Sequence, residues 1–396
     1  MFMHGLMASK RLVDVPASPI REIMSRATEL EAKGKQIIHF ELGRPDFDTP
    51  QNIKDAAVNG LAEGLVHYTP NRGIPELTAA ISDKLEREND VRVDPEREVV
   101  VTAGVSEALL CTFMAFLDPG DEVIIFEPAW PHYASCARLC GATPVKLSTH
   151  DERGFLPDVD AVSAVITGKT KLIVVNSPCN PTGAVYSAQL LEDLGRLVAR
   201  HGLVLVSDEI YEAMVWEGRH TSAASIEINR YHTVTLNGFS KAYSMTGWRI
   251  GYAAAPAVLM SRILRVHQYN TVCLPAFSQW AAVEAYRGNQ EWRNEMVRAF
   301  GRRRSSVLQN LGGIEGLGIV PPRGAFYVYP KLESSISATE FCSFLLEEYG
   351  VATVPGIGFS SCGEHDFRLS YATSDDQLQE GLSRIKDALR SVGVKA

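Results

Sequence analysis

Positive charge is nowhere concentrated in this chain. No run of lysine and arginine stands out, and 39 basic residues against 47 acidic ones leave a net charge of −8. That balance argues against nucleic acid or a membrane surface as a partner. No apolar run is long enough to cross a bilayer, and the opening MFMHGLMASKRLVDV has neither a signal-peptide core nor a cleavage pattern. Cysteines are few and scattered, seven of them between Cys111 and Cys362. An odd, dispersed set reads as reduced, mostly buried thiols in a cytoplasmic protein. Cys136 and Cys140 lie one helical turn apart but lack companion ligands, so no metal site is expected. Internal repeats and low-complexity segments are also missing.

What is present is apolar sequence in quantity: 45% of 396 residues, ample for a large core and two domains. Residues 1 to about 17 read as an arm that orders against a partner surface. Ser18–Lys33 has helical apolar spacing, and Gln36–Phe40 reads as a short strand before the turn in E-L-G-R-P-D-F. Helices are expected at Gln51–Glu63 and Glu76–Glu88. From Val99 onward, short β-branched runs alternate with helices: Val99–Thr102, helix Glu107–Leu117, Val123–Phe126, a helix ending at Cys140, Pro144–Leu147, Leu172–Val175, helix Ser187–Arg200, Leu203–Val206, Thr233–Leu236 and Ile250–Ala255. That alternation predicts an α/β fold with a largely parallel sheet covered on both faces. Ligands bind such sheets outside the carboxyl ends of the strands. Beyond Pro256 the pattern turns helix-rich and then mixed, with helices at Gln290–Gly312 and Ala338–Tyr349. The expected division is residues 1–44 as arm and part of a smaller domain, 45–285 as the large domain, and 286–396 as the rest of the small one.

Gly238–Gly251, G-F-S-K-A-Y-S-M-T-G-W-R-I-G, is the stretch richest in chemistry. Lys241 follows a strand directly, among small and apolar residues, and Arg249 stands in the same stretch. A lysine at the end of a buried strand loses hydration, so its pKa falls and its amine becomes a nucleophile toward an aldehyde. An arginine nearby offers a planar, permanent cation to a phosphate. Amine and phosphate clamp together point to pyridoxal 5′-phosphate (PLP) held as a Schiff base. Taken alone, the two would read as a surface lysine and an ion-paired arginine.

The rest of the chain overturns that plain reading. In order, it carries LGRPDF, YTPNRG, TAGVSEAL, DEVIIFEPAW, NSPCNPTG, SDEIYE, GFSKAYSMTGWRIGY, GAFY and FRLSYA. This ordered set resembles the aspartate aminotransferase superfamily, the class I/II aminotransferases of PLP fold type I, over nearly the whole length. The resemblance implies a large domain with a mostly parallel seven-stranded sheet, a smaller α+β domain formed by both chain ends, and a homodimer with shared active sites.

By the same resemblance, Lys241 forms the Schiff base and then serves as the base and acid that moves the substrate proton. Asp208 keeps the pyridine nitrogen protonated, so the electron sink stays charged. Asn180 and Tyr211 hydrogen-bond the cofactor's phenolic oxygen, and Trp130 stacks on its ring. The phosphate meets Gly104, Val105 and Ser106 at a helix start, with Arg249 as clamp and Tyr68 reaching it from the other subunit. Arg368 takes the substrate α-carboxylate in a bidentate pair, helped by Asn180 and the Gly43 backbone. Taken singly, Asp208 could be a helix cap, Asn180 a turn residue, Tyr211 and Trp130 core aromatics, and Arg368 an ion-paired surface residue.

Two positions depart from the family pattern. Gly238 stands where many members have a phosphate-binding serine, and Ser240 is the adjacent hydroxyl. Ser106 stands where some aspartate-preferring members have a lysine. Arg44, Arg72 and Arg323 lie in pocket-forming motifs and are candidates to meet a side-chain carboxylate, although each reads more readily as a surface or interface arginine. The expected activity is transfer of the amino group of an L-α-amino acid (aromatic, neutral or acidic) to a 2-oxo acid such as 2-oxoglutarate or pyruvate, by a ping-pong mechanism. The alternatives are a PLP-dependent lyase performing β-elimination on the same scaffold, and a non-catalytic aminotransferase-like regulatory domain.

Overall fold

The computed structural model describes residues 9–394. The first eight residues of the expected arm lie outside that range; Lys10–Leu12 forms a single 3-10 turn. In chain order the elements begin with α1 (Pro19–Ala32), β1 (Ile38–His39), α2 (Gln51–Ala62), α3 (Pro75–Asn89), β2 (Val99–Thr102), α4 (Gly104–Phe116), β3 (Glu122–Glu127), α5 (His132–Leu139) and β4 (Thr143–Ser148). They continue with α6 (Val159–Val165), β5 (Thr170–Asn176), α7 (Ala188–His201), β6 (Val204–Asp208), β7 (Thr233–Gly238), β8 (Gly251–Ala254), α8 (Ala257–Asn270) and α9 (Ala276–Arg287). The remainder is α10 (Glu291–Leu311), β9 (Leu317–Gly318), β10 (Tyr327–Val328), β11 (Lys331–Leu332), α11 (Ala338–Tyr349), β12 (Val351–Ala352), β13 (Val354–Pro355), β14 (Phe367–Ser370) and α12 (Asp375–Ser391).

Seven strands form one sheet in the order β2-β8-β7-β6-β5-β3-β4. The links from β4 through β7 are parallel, whereas β8 runs antiparallel to both β7 and β2. Two antiparallel steps leave β2 pointing the same way as the parallel set. The carboxyl ends of β2, β5, β6 and β7 therefore share one edge of the sheet. Val99–Thr102, Thr233–Gly238 and Gly251–Ala254 are buried at every position. Helices cover both faces, so burial does not alternate along these strands, and Val99–Val101 reads as an unbroken apolar run.

Smaller sheets come from the two ends of the chain. β1 pairs in parallel with β12, Ile38 against Val351, while β10, β14 and β13 form an antiparallel trio and β9 pairs with β11. Two expectations need correction. The strand at Gln36–Phe40 shrinks to two residues because only Ile38 and His39 find a partner strand. The helix expected from Glu107 starts at Gly104, whose φ of +74° lets the chain turn from β2 straight into α4.

Candidate active site

The shared carboxyl edge lies over a cleft of about 280 Å³. Strand register explains who meets there. Asn176 pairs with Asp208, and Asp208 with Leu236, so the ends of β5, β6 and β7 are level and the residues just beyond them converge. Lys241 leaves the end of β7, and its Nζ donates to the Gly43 carbonyl at 2.5 Å. Burial, then the cations of Arg368 and Arg249, lower its pKa from 10.5 to about 8.

Asp208 closes β6, 2% exposed. Its Oδ2 accepts from the Tyr133 hydroxyl at 2.6 Å and Oδ1 from the Ile210 N–H at 3.2 Å. Burial nevertheless pushes its carboxyl up to about 6. Tyr211, one turn beyond, shares a 2.8 Å hydrogen bond with the hydroxyl of Tyr327, and burial raises its pKa well above the ordinary phenol value. Trp130 follows β3, lines the cleft and stacks on His132 with ring centroids 4.5 Å apart.

At the start of α4, Val105 and Ser106 line the same cleft. Arg249 faces them with φ of +54°, a left-handed backbone that costs a non-glycine residue about 1 kcal/mol and that persists where the surroundings impose it. Its guanidinium donates to the carbonyls of Thr246 and Ala103 at 3.0 and 3.3 Å. A Cβ at Gly104 would lie 2.6 Å from Arg249 Nη2. The approach of the arginine to the helix start therefore requires glycine there.

Arg368, on β14, is 1% exposed and donates to Asn180 Oδ1 at 3.1 Å and to the Glu41 carbonyl. Its Nε is buried without a partner. All its hydrogen bonds go to neutral oxygens, and burial pulls its pKa below the usual arginine value. A buried cation of this kind is poised for an anion.

Gly43, Val105, Ser106, Trp130, Asn180, Asp208, Tyr211, Lys241, Arg249 and Arg368 thus surround one cleft, with Gly104 immediately behind it. Tyr68 is 91% exposed and lies outside it. The three arginines noted for side-chain carboxylates lie elsewhere: Arg44 is exposed, Arg72 donates to the carbonyls of Arg97 and Val99, and Arg323 lies 3.8 Å from Glu217. Ser240 lines the cleft. At Gly238 a Cβ would stand 2.7 Å from the Gly251 Cα, because β7 and β8 pack backbone to backbone at that pair. A serine at this position would therefore force the two strands apart.

Sequence reasoning overlooked Tyr133, Tyr327, Asn176 and Thr246, which also line the cleft. Tyr327 closes the motif GAFY and Tyr133 lies three residues beyond DEVIIFEPAW, but as tyrosines in a strand and a helix neither carries a local mark that sets it apart from a core residue. A larger groove of about 420 Å³ lies at the opposite end of β7, between Val91 and Pro256, and contains none of the predicted residues.

A parallel-based sheet with a lysine, a carboxylate and two cations at its carboxyl edge, and a second layer built from both chain ends, defines a fold type I transferase. Residues 35–385 match the family described as aminotransferase class I and II, and the chain belongs to that family. It is 43% identical to the aspartate/prephenate aminotransferase of Thermus thermophilus, with 98% of this chain and 99% of that one aligned. It is 38% identical to aromatic-amino-acid aminotransferase 2 of Thermococcus litoralis, over 96% of this chain and 98% of that one. Among solved structures, aspartate aminotransferase from Thermus thermophilus with maleate superposes with a TM-score of 0.91 at 42% identity, covering 97% of this chain and 100% of that one. The protein is a transaminase.

Proposed function

We propose that this transaminase carries PLP on Lys241 and moves the amino group of an L-α-amino acid to a 2-oxo acid such as 2-oxoglutarate or pyruvate. The observation that carries the reading is the meeting of the Lys241 amine, the buried Asp208 carboxylate, Arg249 and Arg368 in one cleft. Each of these groups is incomplete in a way the cofactor or the substrate completes. Asp208 is an acid held up near 6 by burial, which a protonated ring nitrogen would return to its carboxylate form. Arg249 bonds only backbone carbonyls, and its guanidinium lies against a helix start whose glycine lets it approach, where an anion such as a phosphate is favoured. Arg368 keeps a buried Nε free for a carboxylate.

The residues present therefore fit PLP. Lys241 would hold its aldehyde carbon, Asp208 its ring nitrogen, Asn180 and Tyr211 its phenolic oxygen, and Trp130 its ring face. Gly104, Val105, Ser106 and Arg249 would hold its phosphate. Bound there, the cofactor supplies an electron sink for the charge released at the substrate Cα. The protein supplies the rest. Arg368, with Asn180 beside it, anchors the α-carboxylate and so fixes which bond at Cα faces the sink. Lys241 Nζ, once free of the cofactor, takes the Cα proton and gives it back in the reverse half-reaction. A depressed amine pKa suits both roles near neutral pH.

The donor class rests on what the cleft holds. Among the described residues its cations are Lys241, Arg249 and Arg368, each already given a role. A neutral or aromatic side chain fits this set as it stands, with Ile20 and Tyr327 as apolar walls. An acidic one, as the names of the Thermus relatives suggest, would draw its counter-ion from a partner subunit.

We also propose a cytoplasmic homodimer with shared sites, and the domain division 1–44, 45–285 and 286–396. The dimer is supported by Val58, Leu61, Val66 and Tyr68, apolar side chains 48–91% exposed along one segment. The division is supported by the pairing of β1 with β12. The test is spectroscopic. A panel of amino acids is added to the loaded protein while the visible band of the bound aldehyde is followed, and 2-oxo acids are then added to restore it. Bleaching and recovery support transamination. Steady release of ammonia and pyruvate with the band intact would replace it with elimination.

A further inference from the structure

Tyr327 joins the two clamps of the cleft. Strand pairing places it there. In the β10–β14 ladder Tyr327 faces Ser370, and Arg368 is two residues from Ser370, hence on the same face and diagonal to Tyr327. Its ring accordingly lies under the Arg368 guanidinium, with the Arg368 carbon 4.6 Å from the ring centroid, and Phe359 flanks the same guanidinium at 4.8 Å. Its hydroxyl, at the other end of the side chain, is 2.8 Å from the Tyr211 hydroxyl. That hydroxyl also sits where a Cβ on Gly43 would fall, so the loop accepting from Lys241 runs against it. The residue is 1% exposed.

We propose that Tyr327 is a positioning residue for amino-group transfer, acting through Tyr211 at its hydroxyl and through Arg368 at its ring. The inference rests on the assignment of PLP to this cleft. A tyrosine hydroxyl has one proton. If Tyr211 donates its proton to the cofactor's phenolic oxygen, the bond between the two tyrosines must run from Tyr327 to Tyr211. A donor feeding a donor strengthens the second bond, because each polarises the next. Tyr327 thereby helps hold the phenolic oxygen in its anionic form. Its ring, meanwhile, holds the plane of Arg368 so that the free Nε presents itself to the carboxylate.

Two variants separate the two ends of the side chain, and both readouts are made on loaded protein without turnover. In Y327F the hydroxyl is lost and the ring kept. The pH midpoint of the bound cofactor's visible absorbance should rise by roughly half to one pH unit. The dissociation constant of an amino-free carboxylate, 3-phenylpropanoate or succinate according to which the wild type binds, should stay within about twofold. In Y327L both are lost, and that carboxylate should bind about fivefold more weakly or worse in addition to the shifted midpoint. A wild-type midpoint in Y327F, or wild-type carboxylate binding in Y327L, overturns the proposal. Should Y327L fail to load, Y327F alone decides. A wild type that shows no pH-dependent band when mixed with PLP would instead sink the cofactor assignment itself.

Discussion

The Tyr133 hydroxyl donates to Asp208 Oδ2 at 2.6 Å, at the buried end of β6. This bond lets a carboxylate survive where solvent does not reach, yet it compensates burial only in part: the Asp208 carboxyl titrates near 6 in the folded chain against 3.8 in the free residue.

That shift links function to stability. The folded state binds a proton at Asp208 that the unfolded state has lost, so stability falls as pH rises from 3.8 to about 6 and stays reduced above. The reduction is roughly 3 kcal/mol. Asp208→Asn keeps an acceptor for Tyr133 and removes the titration. Cofactor-free D208N should therefore melt above the wild type at pH 8 and close to it at pH 4, while binding PLP at least about a hundredfold more weakly. Thermal melts at the two pH values and a PLP titration check this. A D208N protein less stable at both pH values would contradict it.

Lys241 carries the opposite kind of shift. With its amine near 8 instead of 10.5, half of it is neutral at mildly alkaline pH, and only the neutral form attacks an aldehyde. The rate at which the cofactor-free protein takes up PLP should climb with pH and level off above about 8. Arg368→Gln removes the largest charge contribution to the shift, so its plateau should come later. Stopped-flow absorbance gives both curves; a wild-type rate still climbing toward pH 10 would contradict the depressed amine.

Beyond its effect on the Lys241 amine, Arg368 should matter to substrate binding and not to whether the cofactor stays bound. Lysine in its place keeps the charge but loses the fork that holds Asn180 and a carboxylate together. R368K should lose about 10²–10³ in kcat/KM, or roughly 3–4 kcal/mol, with KM rising for donor and acceptor alike and PLP still bound. Steady-state kinetics with both substrates varied, alongside the absorbance of the loaded enzyme, would show it.

Gly238 should refuse a serine. Its Cβ would sit 2.7 Å from Gly251 Cα and 3.0 Å from the Ile250 carbonyl, both backbone atoms without room to yield. Gly238→Ser should lower stability by about 1–3 kcal/mol and bring no tighter PLP binding. Denaturant unfolding and a PLP titration measure the two effects.

Much of this was legible in the chain itself. The buried strands announced themselves as short β-branched runs, and Lys241 stood out because it follows one of them; Asn180 and Asp208 came with the resemblance of NSPCNPTG and SDEIYE to aminotransferase motifs. Boundaries were less legible. Gly104 opens α4 three residues before the expected Glu107, since a glycine with positive φ leaves no trace in apolar periodicity. Gln36 and Phe40 fell outside β1 because strand length there depends on β12, more than 300 residues away. Tyr133 and Tyr327 were missed for a similar reason. Nothing local distinguishes a core tyrosine from one whose hydroxyl meets Asp208 or Tyr211, and those meetings are made by register between distant strands and helices.

The central claim is that Lys241 alone carries the cofactor. Borohydride reduction of the PLP-loaded protein, followed by proteolysis and mass mapping, tests it directly. The account predicts one phosphopyridoxyl-modified peptide, spanning Gly238–Gly251 with the adduct on Lys241, and no such peptide from Lys241→Ala. An adduct on another lysine, or an unreduced Lys241 in a protein that retains transaminase activity, would contradict it.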